Sequence, residues 1–169
     1  QSVSYVEVDL DNPDVAIQFP YVEDGRERIS SMTPAQVPEA VAVINGTYFN
    51  TREGGHVTYL RVDDEKVPAG GSPFAPWTDD GALGFNEGEA PAIVREPEAG
   101  WSAEEAYANL LACGPMLIED GTIPASELNS IGGHCSNRHP RSAVGVTSDN
   151  RLILLTVDGR TKLAAGMTC

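Results

Sequence analysis

The segment HPRSAVGVTSDNRLILLTVDGR, residues 139–160, does most to constrain the fold. Two apolar runs, AVGV at 143–146 and LILLTV at 152–157, flank the polar turn TSDN. That order predicts a β-hairpin. An antiparallel hairpin brings its two open ends side by side. Arg141 is therefore expected beside Asp158, Gly159 and Arg160, at the end opposite the turn.

The rest of the chain reads as short strands broken irregularly by helices. SYVEVDL (4–10) alternates polar and apolar residues, as a half-buried strand should. DNPD then turns the chain into VAIQF (15–19), an expected hairpin partner. AVAVI (40–44) is continuously apolar and β-branched, which predicts a central strand buried on both faces. HVTYLRV (56–62) alternates again, and GPMLIEDGTI (114–123) reads as strand, Glu-Asp-Gly turn and short strand. SAEEAYANLL (102–111) carries a capping box, Ser102 with Glu105, and predicts a helix. TPAQVPEA (33–40) predicts one helical turn capped by Thr33 and stopped by Pro38. Residues 68–81 and 124–142 show little periodicity and read as long loops. The expected class is α+β: one domain over 1–169, with a mixed, largely antiparallel sheet, few helices and long loops.

Charge narrows the partners. There are 25 acidic residues against 11 basic ones, a net charge of −14. Nucleic acid and anionic membrane both select positive surfaces, so neither is an expected partner. No apolar run approaches the roughly 20 residues that span a bilayer, so no membrane-spanning segment is expected. Any anion site must be local, built from a few arginines in a negative field. Cys113, Cys135 and Cys169 permit one disulfide and a free thiol, or no disulfide. His134, Cys135 and His139 are spaced like no standard zinc site, and with no GxGxxG or GxxxxGK(S/T) run a nucleotide phosphate loop is not indicated. A Cys–His nucleophilic pair in this loop is a second possible reading of the same residues.

Arg141, Asp158 and Arg160 are the first candidate site residues. Arginine's planar fork fits phosphate or carboxylate, and an adjacent Asp stays ionised. The same trio could simply tie off the hairpin. Asn45, in VINGTYFN, offers a donor and an acceptor to a sugar hydroxyl or acetamido group. It could equally be a turn residue or, with Gly46 and Thr47, a glycosylation sequon. Gly114-Pro115 shapes a strand entry, and His56 is a candidate ligand-facing residue or a plain surface histidine.

Four motifs in order, VINGTYFN, CGPMLIEDG, HPRSAVGVTSDNRLILLTVDGR and AAGMT, together resemble the phosphodiester glycosidase family. GGHVTYLRVDDEKV resembles the strand pair that follows the first motif in bacterial members. The resemblance runs from about residue 3 to the end. It implies hydrolysis of a sugar-1-phosphodiester in a glycan or sugar-phosphate substrate, by a secreted, periplasmic or cell-surface protein. It implies site roles for Asn45, Arg141, Asp158 and Arg160, and backbone-shaping roles for Gly46, Gly114, Pro115 and Gly159. The alternative is a non-catalytic domain that recognises anionic glycans. Family members continue past GMT into a helix and an Asp-Gly-Gly-Gly-Ser segment, whereas these residues stop at GMTC. The resemblance therefore implies a missing strand and exposed apolar surface near the hairpin.

Overall fold

A computed structural model describes residues 2–22, 27–70 and 79–169. The class is α+β, with mostly β content. Every strand pairing among the described residues is antiparallel, in two sheets. The first has the order β1-β8-β7, from β1 (Val3–Asp9), β7 (Arg141–Val146) and β8 (Arg151–Val157). The second has the order β3-β2-β6-β4-β5, from β2 (Leu60–Val62), β3 (Glu65–Lys66), β4 (Gly81–Phe85), β5 (Ala92–Arg95) and β6 (Asn109–Cys113).

The expected hairpin is β7–β8, with Arg141 opposite Val157. Asn150 at φ 59 closes its turn, a backbone conformation that Asn tolerates better than most residues. The strand β1 pairs along β8 from Val3↔Val157 to Asp9↔Arg151. VAIQF is not its hairpin partner: residues 15–19 form no strand, and among the described residues β1 pairs only with β8. Nor is β1 half-buried: Val3, Tyr5 and Val6 are exposed, so both faces of this edge strand meet solvent.

The second sheet holds the core. Leu110 and Ala112 are fully buried with Ala82 and Trp101, and Tyr59, Val94 and Tyr107 pack around them. Residues 102–111 are therefore not a helix. A 3₁₀ turn, Trp101–Ala103, leads instead toward β6, which lies between β2 and β4. The helix-favouring sequence yields because Leu110 and Ala112 bury best as the central strand, a tertiary override of local propensity. Gly84 lies under the Tyr107 ring, where an added Cβ would be 2.6 Å from the ring.

Three further expectations are corrected. Residues 40–44 form no strand: Val41 and Val43 are exposed, and no described strand exchanges backbone hydrogen bonds with them. The helix near Pro38 begins earlier than expected, as α1 (Ile29–Gln36), with Pro34 inside it; it does end before Pro38. The 124–142 loop contains two short helices, α2 (Ala125–Ser130) and α3 (Gly133–Ser136). HVTYLRV is a strand only at its end, and GPMLIEDGTI keeps its turn, with Glu119 bridged to Thr122 and Asp120 and Gly121 at positive φ. Most of the 68–81 loop lies outside the described residues. Val3 and Val6, on the strand that pairs with β8, are exposed, as are Val41 and Val43 in the 40–44 segment.

Candidate active site

The open end of the β7–β8 hairpin is locked to three other pieces of backbone. His139 and Met167 exchange both backbone hydrogen bonds, at 3.1 and 2.9 Å. Cys135 is disulfide-bonded to Cys169, and the Cys169 amide donates to the Cys135 carbonyl at 3.0 Å. Gly159 and Gly166 pass so close to His139 and Pro140 that a Cβ on either would strike backbone atoms. Gly166, at φ 97, also needs glycine's freedom at positive φ. This packing carries Arg160, itself at φ 57, to the same place as Arg141.

The two arginines are paired with histidines rather than carboxylates. Arg141 Nη1 lies 3.1 Å from His134 Nε2. Arg141 Nη2 also donates to the carbonyls of His134 and Asn137, and Nε donates to Met167 O at 3.1 Å. Arg160 Nη2 lies 2.7 Å from His139 Nδ1. The two imidazoles stack at 6.3 Å between centroids. Among the described residues neither arginine makes an ion pair. Burial, with the Arg141 and His139 charges behind it, holds His134 below the usual histidine range. Burial also lowers Arg141, and Arg160 adds to that.

Tyr48 joins this group from the other side. Its hydroxyl donates to Gly114 O at 2.6 Å and lies 2.9 Å from His134 Nε2. Its backbone is fixed by Val57 N–H donating to Tyr48 O, and by the turn in which Asn50 Oδ1 accepts from the amides of Arg52 and Glu53. Burial, chiefly, pushes the Tyr48 hydroxyl well above its ordinary range. Sequence reasoning did not single out Tyr48, although it stands three residues after Asn45. The available signal was a tyrosine close to Asn45 in VINGTYFN, whose hydroxyl must find a partner when buried. The sequence alone offers His134 as a metal ligand or as a partner of Cys135, and the fold makes it neither. The Cys–His nucleophile is corrected, since the Cys135 thiol is consumed by the disulfide. Among the described residues no cluster of three or more His, Cys, Asp or Glu could hold a metal ion.

The remaining candidates sit as follows. Asn45 is exposed, and its Oδ1 accepts from Ser142 Oγ at 2.7 Å, which places it beside the start of β7. Asp158 is exposed at the end of β8 and makes no ion pair with Arg141 or Arg160 among the described residues. Gly46 lies against Leu111, where a Cβ would be 2.7 Å from Cδ1. The Gly114–Pro115 peptide is cis, with Gly114 O facing Tyr48. His56 is buried, with Nε2 3.3 Å from Val67 O, and burial lowers its proton affinity. His56 lines the same cleft as Tyr48, His134 and Arg141, and among the described residues no hydrogen bond joins its side chain to them. Asn45, Gly46, Tyr48, Gly114, His134 and Arg141 all border one broad open cleft of about 1990 Å³.

Fold and cluster together define a two-sheet α+β domain with a cationic, largely uncompensated hairpin end. Residues 38–169 match the phosphodiester glycosidase family, and the chain belongs to it. It is 29% identical over 153 residues to the SPbeta prophage-derived uncharacterized protein YomE of Bacillus subtilis (strain 168). That match covers 85% of this chain and 22% of YomE, so the chain spans about a fifth of its curated relative. No helix among the described residues is long and apolar enough to cross a membrane.

Proposed function

We propose that this chain carries the site of a hydrolase that cleaves a sugar-1-phosphodiester, with Arg141 and Arg160 facing the phosphate. The observation that supports this most is the pairing of both arginines with histidines in a chain of net charge −14. Their positive charge is left for a ligand. Family membership supports the same reaction class.

In this reading water adds to the anomeric carbon as the bond to the phosphate oxygen breaks. The sugar leaves with a hydroxyl, and the phosphate leaves as a monoester. A phosphate monoester is a good leaving group, so stabilising its developing charge matters more than protonating it. Asp158 supplies the carboxylate that steadies the oxocarbenium-like carbon or activates water. Asn45 faces the sugar, and Gly46, Gly114 and Gly159 let backbone approach. The Cys135–Cys169 disulfide supports work in an oxidising compartment, secreted, periplasmic or at the cell surface.

The test is release of N-acetylglucosamine or another sugar from a panel of sugar-1-phosphodiesters by the full chain. Arg160→Ala and Asp158→Ala should each abolish most turnover. Unchanged turnover in both would refute the site. Binding of the diesters without hydrolysis would favour a domain that only recognises anionic glycans.

A further inference from the structure

Three backbone carbonyls hold the Arg141 guanidinium, and they come from two separate stretches of chain. Nη2 donates to His134 O in α3 and to Asn137 O at its C-cap, and Nε donates to Met167 O at 3.1 Å. His134 O is left over by the helix itself, because the last bond within α3 runs from Asn137 N–H to Gly133 O. A helix of four residues does not hold its own shape in water, so α3 takes its place from outside contacts. Its one buried residue is Cys135, bonded to Cys169. That bond joins the 134–137 stretch to the 167–169 stretch, and the Cys169 amide donates to Cys135 O alongside it. His139 and Met167 join the same two stretches again through their paired backbone hydrogen bonds. Asn137 falls between these two cross-links in sequence.

We propose that Cys135 and Cys169 are positioning residues for the phosphate site: their bond clamps the carbonyl cradle of Arg141, and a dithiol that cuts it loosens the guanidinium and weakens phosphodiester binding. The proposal rests on the phosphodiester reading of Arg141. Reduction takes away orientation and leaves the charge, so the loss falls on the fit of the planar fork to phosphate oxygens. Cys135 is buried and Cys169 exposed, and a cavity of about 250 Å³ lies beside them, lined also by Leu128, Asn129, Ser136 and Thr168. One thiolate of the dithiol bonds to the Cys169 sulfur, and the S–S electron pair leaves on Cys135, which takes up a proton. The second thiolate of the reagent then attacks its own sulfur in the mixed disulfide, and Cys169 leaves and is protonated. The reagent ends as an internal disulfide, oxidised by two electrons, and the protein as two thiols. Cys113 is already free, so this is the one bond a dithiol can cut. In a reducing compartment Arg141 would lack its clamp, and activity would begin where the bond forms.

Two measurements test this, and they fail independently. The first is arginine Nε–H NMR of the full chain without substrate, before and after dithiothreitol, below the melting transition of the reduced chain. In the oxidised chain the Arg141 Nε–H, bonded to Met167 O, should exchange slowly with water. Reduction should speed that exchange about tenfold, the scale of one such hydrogen bond, while the Nε–H of Arg95, which donates to Glu119, keeps its rate. An unchanged Arg141 signal would overturn the proposal whatever the enzyme does. Equal loss of both signals would make the bond a general stabiliser and would overturn it too. The second measurement is kinetics on a sugar 1-(methyl phosphate), where reduction should lower kcat/KM about tenfold, chiefly through KM. Arg141→Lys keeps the charge but cannot span the three carbonyls, so reduction should leave its kcat/KM unchanged. An equal loss in Arg141→Lys would show that the bond acts on the fold and not through Arg141, and that result would overturn the proposal. Absence of turnover in the oxidised wild type would instead count against the hydrolase reading and leave the arginine spectra to decide the clamp.

Discussion

Gly159→Ala isolates the packing that builds the hairpin end. The new Cβ would meet Pro140 N, Gly166 Cα at 2.9 Å and His139 C at 2.9 Å, all backbone atoms. None is the tip of a flexible side chain, so relief requires moving the 139–140 or 166–167 backbone. Overpacking of this kind costs about 1–3 kcal/mol. For a chain of this size that lowers the melting temperature by roughly 2–12 °C. Gly145→Ala is the matched control: it lies in β7, and its Cβ would meet nothing within 4 Å. Alanine there should be neutral or slightly stabilising, because glycine in a strand interior costs conformational entropy. The assay is thermal unfolding followed by circular dichroism, with diester turnover measured on both variants. Gly159→Ala should lose stability, and it should lose turnover even at temperatures where it is folded, since Arg160 follows Gly159 directly. Equal melting temperatures for the two variants would refute the argument that close backbone approach fixes this site.

Reduction of Cys135–Cys169, or the double serine variant, should destabilise by about 3–4 kcal/mol, the entropy of opening a loop across 34 residues, read as a drop in melting temperature with added reductant. Asn45→Ala removes one exposed side-chain hydrogen bond to Ser142, so stability should fall by no more than about 1 kcal/mol while turnover falls at least tenfold; equal losses would make Asn45 a turn residue. His56 is buried and its folded proton affinity is lowered by burial, so the unfolded chain takes up a proton first. Its contribution to stability is intact above pH about 6.5 and is lost as pH falls below that value toward its lower folded-state pKa. Comparing denaturant midpoints across pH for wild type and His56→Gln should show a smaller acid loss in the variant.

What could be read from the sequence followed from local chemistry. The β7–β8 hairpin was legible because its two apolar runs and polar turn need no outside information. The Glu-Asp-Gly turn was legible for the same reason. The 102–111 segment was not, because its capping box and alanines favour a helix while the burial of Leu110 and Ala112 against β2 and β4 favours a strand. Nothing local reveals which distant strand an edge strand will meet: SYVEVDL and VAIQF are adjacent in sequence, yet β1 lies on β8. At the site, Arg141 and Arg160 were legible as hairpin ends. Tyr48 and the Cys135–Cys169 link were not, since their partners lie 66 and 34 residues away in sequence.

Arg95 shows why the partners of an arginine matter more than its presence. It forks onto Glu119 and also reaches Asp80 and Glu127, so three carboxylates absorb its charge. Hydrogen bonding to Glu119, above all, raises its proton affinity, and no field is left to attract an anion. Arg141 and Arg160 sit in the same acidic chain, yet imidazoles and backbone carbonyls occupy the positions that carboxylates hold around Arg95. A neutral acceptor orients a guanidinium without cancelling it. An anion arriving at the cluster meets full positive charge at low reorganisation cost, whereas one arriving at Arg95 would have to displace a carboxylate. Exchanging the two environments is therefore informative: His139→Glu should convert Arg160 into an Arg95-like ion pair. It should weaken diester binding while leaving the fold intact, and unchanged KM in that variant would remove the case for charge left uncompensated on purpose.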